Sequence, residues 1–498
     1  MKISEWMNRS GVKFGTSGAR GLVAAMTDEV CFAYTVGFLQ HLERQGEFKP
    51  GQPITIAGDL RPSSPRMMRA CMAAVEYMGG KPVCAGFVPT PALCHHSYSR
   101  AMASIMVTGS HIPDDRNGLK FNRAQGEFLK PDEIAMREED VTLPDGLFDG
   151  QGMLAQDHAI PLPDQACSQL QPELLRQYVQ RYEDFFGSSA LKGLHIGVYQ
   201  HSAVGRDVLK VVLERLGAQV MPLGRSERFI PVDTEAVRPE DVTLARQWAT
   251  EHGLDAIVTT DGDSDRPLLA DEQGNWIRGD VLGLVSAGWL GAGAVVTPIS
   301  SNTGLEEMAR QQGLQTRRTR IGSPFVIEAM TELTKAGQGP VVGYEANGGF
   351  LTAEALPHPT RDGSLAPLPT RDAVLPLLCG LMAAHENKLP LSAYFKKACQ
   401  RVTVSDRIQN KPREESLGLI QALRAEPAGH LEKMGLTAQC GALVDTNELD
   451  GHRMTFSSGD VVHLRPSGNA PELRIYIESD SAQKAEQLLA NVLKALSQ

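Results

Sequence analysis

Apolar and polar positions along the 498-residue chain fall into short β-rich runs separated by helical stretches. Pro53 to Ala57 (PITIA) predicts a strand, and Ser64 to Met78 carries a helical period that Gly79-Gly80 stops. Lys81 to Phe87 predicts a second strand, and Pro89-Thr90-Pro91 opens a further helix. Ala103 to Val107 (ASIMV) predicts a buried strand that runs into a polar loop. This alternation predicts an α/β domain with a mostly parallel sheet, whose ligands gather at the carboxyl ends of the strands. From about residue 150 to 172 Gln, Pro, Asp and Gly predominate, which predicts a linker.

The pattern then restarts twice. The first restart predicts helices at about Leu174 to Phe186, Gly205 to Leu216 and Val242 to Glu251, with strands at Leu194 to Tyr199 and Asp255 to Thr260. The second begins near Asp280, with strands at Ala294 to Pro298, Gln315 to Thr319 and Pro340 to Tyr344 and helices between them. Beyond about Ala398 strands at Arg401 to Arg407, Ala442 to Val444, Arg453 to Phe456, Asp460 to Arg465 and Glu472 to Glu478 accompany a helix near Glu414 to Ala425 and a closing helix from Ser481. The expected fold class is therefore α/β: three related mixed α/β domains, at residues 1–160, 161–270 and 271–390, followed by a C-terminal α+β domain at 391–498.

Composition narrows the function classes. With 59 acidic and 49 basic residues the net charge is −10, a poor match to a non-specific nucleic-acid binder, although a local basic site for a phosphorylated substrate stays open. The 42% hydrophobic and 22% charged shares exclude a disordered or collagen-like chain. Eight Cys without a C-x-x-C pair read as free thiols in a reducing compartment. The N-terminal residues lack the apolar core of a signal peptide, and no apolar run is long enough to span a bilayer. A cytoplasmic protein without nucleic-acid or membrane partners is expected.

Five loops carry candidate chemistry. Thr108-Gly109-Ser110-His111-Ile112-Pro113 follows a buried strand; Ser110 beside His111 reads either as an activated nucleophile or as a serine starting a turn. Lys120, just downstream, is a candidate acid, base or phosphate partner, or a solvated turn lysine. The strongest signal is Asp261-Gly262-Asp263-Ser264-Asp265-Arg266, again after an apolar strand. Three alternate carboxylates at one strand end suit a hard cation such as Mg2+ and would otherwise repel. Asp261, Asp263, Asp265 and Glu272 also match EF-hand positions, but Arg266 stands where that loop needs Gly, and a strand precedes it. Gly15 to Gly21, with Arg20, offers backbone NH groups, hydroxyls and a guanidinium to an oxyanion. Gly343 to Gly349 offers Glu345 and Asn347 to sugar hydroxyls. Arg465 to Arg474 offers two guanidiniums, Ser467, Gly468 and Asn469 as a phosphate cradle. Each of the last three loops is equally readable as a structural turn.

Together and in this order, the five loops resemble those of the α-D-phosphohexomutase superfamily, the phosphoglucomutase and phosphomannomutase enzymes, over nearly the whole chain. The resemblance implies four domains around a central cleft, a phosphoserine, a magnesium ion and a hexose 1,6-bisphosphate intermediate and activator. It implies that Ser110 is the phosphoserine with His111 its neighbour, that Lys120 is a general acid or base, and that Arg20 and Arg266 clamp the transferring phosphoryl. Asp261, Asp263 and Asp265 would hold the metal, with a Ser110 phosphate oxygen completing the site. Arg320 and Gly322 would lie in a substrate-contacting loop, Glu345 and Asn347 would read the sugar, and Arg465, Ser467, Gly468, Asn469 and Arg474 would grip the other phosphate.

The implied reaction is interconversion of mannose 1-phosphate and mannose 6-phosphate, an intramolecular phosphotransfer. Glucose or dual specificity, glucosamine phosphate, a phosphatase using the same serine and metal, and a sugar-phosphate-binding protein without turnover are the other readings. The resemblance leaves the choice between monomer and dimer open. The chain departs from the family pattern at Gly109 and Ile112 (commonly Ala and Asn), Ser264 (Gly), Asn469-Ala470 (Thr-Glu) and Gly349, where many bacterial members carry His. The last leaves Lys120 as the proton-transfer residue.

Overall fold

The computed structural model describes residues 1–15, 18–155, 170–467 and 471–497. Three sheets share one strand order. In the first it is Lys81–Phe87, Pro53–Gly58, Ser104–Val107, Arg116–Arg123, Ala19–Leu22. The second runs Gln219–Arg225, His195–His201, Ala256–Thr260, Pro267–Ala270, Trp276–Ile277, and the third Gln315–Thr319, Ala294–Pro298, Val341–Tyr344, Phe350–Thr352, Leu368–Asp372. The repeat inferred from three successive α/β units is thus present as topology.

The first sheet is mixed rather than mostly parallel. Pro53–Gly58 pairs in parallel with both neighbours, but Ser104–Val107 turns back antiparallel onto Arg116–Arg123. The same turn recurs from Ala256–Thr260 to Pro267–Ala270 and from Val341–Tyr344 to Phe350–Thr352. Each repeat therefore presents one hairpin tip at the carboxyl end of its third strand. Those tips are the Ser110 loop, the aspartate loop and the Glu345 loop.

The fourth sheet is antiparallel throughout, in the order Val402–Ile408, Leu473–Ser479, Val461–Pro466, His452–Phe456, Leu443–Asn447. Its hairpin Val461–Pro466 to Leu473–Ser479 carries the phosphate-loop sequence. Leu473, Ile475 and Ile477 alternate into a core against the helix Ala482–Leu496.

One apolar cluster joins the first three units, with Met106, Tyr178, Leu213, Val295 and Leu377 among its members. The helix Val374–Glu386 is buried along most of its length within it. The fourth unit keeps a separate core and docks through polar contacts, including Asn302 Nδ2 to Arg401 O (3.0 Å) and Thr303 N to a Glu478 carboxylate oxygen (3.0 Å). Among the described residues no helix is long and apolar enough to cross a membrane. Cys31, Cys71, Cys94, Cys379, Cys399 and Cys440 are free thiols. Cys84 is disulfide-bonded, against the expectation of thiols throughout, because pairing depends on proximity in space and leaves no mark in spacing along the chain.

Candidate active site

The three hairpin tips meet. Ser110 is buried at the end of its strand in a left-handed conformation (φ 60°) and donates from Oγ to Asp261 Oδ2 at 2.6 Å. Gly262 lets the two loops touch: a Cβ there would lie 2.6 Å from the Ser110 carbonyl oxygen. Asp261, Asp263 and Asp265 are buried, with one oxygen from each within 4.8 Å of the others. Lys120, opposite Met106 in the first sheet, donates from Nζ to Asp263 Oδ2 (2.5 Å) and Asp265 Oδ2 (2.7 Å). Thr90 Oγ1 donates to the same Asp263 oxygen at 2.5 Å.

Electrostatics divide the triad. Burial, then Asp263 and Asp265, push the Asp261 carboxyl well above its usual range. Burial also pushes Asp265 upward, but Arg371, Lys120 and Arg266 more than reverse it, and it ends below the usual range; Asp263 is likewise held low, chiefly by Lys120. Asp263 Oδ1 and Asp265 Oδ1 are buried without a hydrogen-bond partner. Three converging carboxylates with two unbonded buried oxygens fit a hard divalent cation such as magnesium.

Arg266 Nη1 donates to His111 Nδ1 at 2.8 Å, and its Nε lies 3.7 Å from Asp265 Oδ1. Burial and then Arg266 lower the His111 imidazole to about 3, so it is a neutral acceptor. Its Nε2 lies 4.0 Å from Asp233 Oδ2. Arg20, opposite Gly118, has a buried Nε without a hydrogen-bond partner; burial and then Arg266 lower its guanidinium to about 10. In the third unit, Glu345 and Asn347 are buried in their hairpin, and Asn347 Oδ1 accepts from Gly349 N at 3.0 Å.

The fourth unit faces this cluster more loosely. Arg474 lies opposite both Arg465 and Arg407 across the sheet, three guanidiniums at one level. Arg465 donates from Nε to Asp450 Oδ2 at 3.0 Å; the same oxygen accepts from Ile321 N at 3.0 Å, beside Arg320 and Gly322. Arg320 is exposed, its Nε donating to Leu449 O at 3.3 Å, and Gly322 (φ 133°) precedes the helix Ser323–Lys335. Arg474 Nε is 3.7 Å from Glu472 Oε2. Ser467 is buried, its NH bonded to Glu472 O at 2.8 Å. Gly468 and Asn469 lie outside the described residues, as do Thr16 and Ser17 of the N-terminal loop.

The sequence matches four family descriptions in chain order. These are phosphoglucomutase/phosphomannomutase alpha/beta/alpha domain I at residues 11–142, domain II at 176–274, domain III at 279–402 and the C-terminal domain at 414–495. The chain belongs to the phosphoglucomutase/phosphomannomutase family. It is 43% identical to a phosphomannomutase of Sinorhizobium fredii over 489 residues, 98% of this chain and 99% of that one. It is 41% identical to a phosphomannomutase of Salmonella muenchen, over 98% of this chain and 96% of the relative. A phosphoglucomutase/phosphomannomutase family protein from Burkholderia thailandensis shares the fold at a TM-score of 0.72 with 18% identity, covering 100% of this chain and 98% of that one.

Three departures from the family pattern have visible causes. Ser264 adopts φ 59°, a left-handed conformation that suits Gly, and its Oγ is tied to Gly205 N (2.9 Å) and Thr260 Oγ1 (2.8 Å). At Gly109 an added Cβ would lie 2.7 Å from Arg61 Nε. Arg61, fully buried, donates to Arg116 O, Asp59 Oδ2, Ser110 O and Ile112 O, and so ties the loop at the serine and beyond it. Asp59 Oδ2 also accepts from Thr108 Oγ1 (2.7 Å), which in turn accepts from Ser110 N (2.8 Å). At Gly349 an added Cβ would lie 2.6 Å from Arg371 Cδ.

Sequence reasoning missed Asp59, Arg61, Thr90, Asp233 and Arg371. Asp59 and Arg61 sit at the carboxyl end of the strand Pro53–Gly58, where a doubly wound sheet places ligands, so their position was a usable signal. Arg371 had no motif around it; the one trace was the unexplained Gly349.

Proposed function

We propose that the protein is a phosphohexomutase, acting as a phosphomannomutase that interconverts mannose 1-phosphate and mannose 6-phosphate. One observation carries the reading: Ser110 Oγ bonds Asp261 at 2.6 Å inside a buried triad of carboxylates, two of whose oxygens have no hydrogen-bond partner. The names of the two 41–43% identical relatives support the mannose assignment.

In this reading Ser110 carries the phosphoryl group. Asp261, Asp263 and Asp265 would hold magnesium, which when bound neutralises charge on the transferring group. Arg266 and Arg20 add positive charge beside it. In the first half-reaction the Ser110 oxygen–phosphorus bond breaks as a sugar hydroxyl oxygen bonds to phosphorus, giving hexose 1,6-bisphosphate. The proton leaving the sugar hydroxyl and the one arriving at Ser110 Oγ balance, with Lys120 as the proton-transfer group. The bisphosphate turns over, and Ser110 takes back the other phosphate. Glu345 and Asn347 read the hydroxyls, while Arg465, Ser467, Gly468, Asn469 and Arg474, with Arg320 and Gly322 alongside, hold whichever phosphate is not reacting.

A mutase panel tests this. Mannose, glucose and glucosamine phosphates are offered with magnesium and a bisphosphate primer. Interconversion of the mannose phosphates is expected. Release of inorganic phosphate alone would make the protein a phosphatase, and the absence of any turnover would remove the mutase reading.

A further inference from the structure

Arg371 is among the largest fully buried side chains, and it joins two loops that come from different units. Its Nε and Nη2 each lie 3.0 Å from Asp265 Oδ2 in the aspartate loop, and its Nη1 reaches Glu345 Oε2 at 3.3 Å in the sugar loop. The base of this side chain is fixed. The next residue, Asp372, accepts the hydroxyls of Tyr178 (2.8 Å) and Tyr182 and caps Val374 N (3.0 Å) at the start of a buried helix. The space the aliphatic stem occupies exists because residue 349 is Gly.

We propose that Arg371 is a positioning residue that couples the sugar loop to the metal loop, and that Gly349 is the glycine that admits it. The proposal rests on the mutase reading for its substrate, but not for its metal. A guanidinium stays charged at any working pH and has no acceptor, so it cannot act as an acid or base. What it can do is hold two carboxylates at a fixed separation through a planar fork. Asp265 Oδ2 is then committed to Arg371 and Lys120, which leaves Oδ1 turned to the triad. Glu345, the counter-charge on the far side of the fork, limits how much positive charge falls on Asp265.

Two consequences separate coupling from packing. Lysine at 371 keeps the charge but, as a point donor, does not span both loops. Removing Glu345's charge unbalances Asp265 only while the fork connects them. Magnesium binding to the full chain, followed by calorimetry, reads this without turnover. Glu345→Gln should weaken magnesium binding severalfold in the parent chain and much less in the Arg371→Lys chain. Where the parent is active, Arg371→Lys should lower kcat by about 10–100-fold, the range for groups that orient metal ligands, with a smaller change in KM. Glu345→Gln should add little to it.

An equal magnesium shift from Glu345→Gln in both backgrounds would overturn the coupling. So would kinetic effects that simply multiply. Thermal unfolding identifies a misfolded variant, and Arg371→Gln then replaces Arg371→Lys in the same cycle. If the parent binds magnesium but interconverts no hexose phosphate, the mutase reading fails while the magnesium cycle still decides the coupling.

Discussion

The serine end and the fourth-unit end of the site are built differently. At the serine end, loops from three units interlock, the carboxylates are buried, and Lys120, Thr90, Arg266 and Arg371 all bond or pair with them. At the fourth-unit end three arginines stand level on one sheet; Arg474 Nε lies 3.7 Å from Glu472 Oε2 and has no hydrogen bond among the described residues, while Tyr476 and Glu235 lie close enough to act on its charge. On the proposed mutase reading the contrast matches two tasks. Phosphoryl transfer needs fixed geometry and a pre-set field. A grip that takes the 1-phosphate and the 6-phosphate in turn needs charge without a single rigid pose, and uncommitted guanidiniums supply that.

The sharpest way to test the contrast is to remove the centre of the built end. Ser110→Ala should lower turnover on the order of 10,000-fold, as removal of a nucleophile does. Intact mass should lose the phosphate carried by the parent protein, and peptide mapping should place that phosphate on Ser110. Phosphate found only at another residue would refute the assignment.

A smaller effect is expected at the loose end. Arg474→Ala should raise KM by about 10–100-fold for the 1-phosphate and the 6-phosphate alike, the value of roughly 1.5–3 kcal/mol for a charged hydrogen bond. Phosphorylation of Ser110 should persist. Unchanged constants in both directions would reduce Arg474 to the ion pair with Glu472.

Gly109→Ala probes rigidity at the built end without touching a reacting group. The new methyl would collide with an arginine pinned by four acceptors, and overpacking of this kind costs about 1–3 kcal/mol. Both the melting temperature and the rate of Ser110 phosphorylation should fall. If neither moves, Arg61 is free to yield and the loop is softer than its hydrogen bonds imply.

The last effect leaves turnover at neutral pH untouched; it concerns stability against pH and touches both ends. His201 donates from Nε2 to Thr260 O (2.8 Å) beneath the aspartate loop, and His463 does so to Asp450 O (2.6 Å) beneath Arg465. Both Nδ1 atoms are buried without partners, and burial lowers each imidazole from 6.5 to about 4. Between those values the unfolded chain takes up protons that the folded chain does not. Stability should therefore fall as pH drops from 6.5 to about 4, by at most ~3 kcal/mol per histidine, and these two groups should contribute no further loss below that. Denaturant titrations at stepped pH check it; His201→Gln and His463→Gln should each flatten part of the slope.

Much of this was legible in the sequence. The aspartate loop announced itself because three like charges in six residues need a cation or a counter-charge, and the buried strand before it fixed where the loop lay. The α/β repeat was legible from hydrophobic alternation. The hairpin returns were not, since a strand reads the same in either direction; a mostly parallel first sheet was expected and a mixed one found. The partners of Arg61 and Arg371 were not legible, for a different reason. A buried arginine is defined by its partners, and Asp265 lies 106 positions from Arg371. Besides the strand-end position of Arg61, their trace was negative: Gly109 and Gly349, each smaller than the family's usual residue. A missing side chain in one place marked an extra one arriving from elsewhere.

Gly262 lies so close to the Ser110 carbonyl that not even a methyl fits between the first two units. Ser110 and the carboxylate it bonds are thus brought into register by a seam, and neither unit holds the pair alone. Any substitution that spreads that seam by an ångström, however far from Ser110, takes the pair out of hydrogen-bond range. Such damage would be read first in turnover.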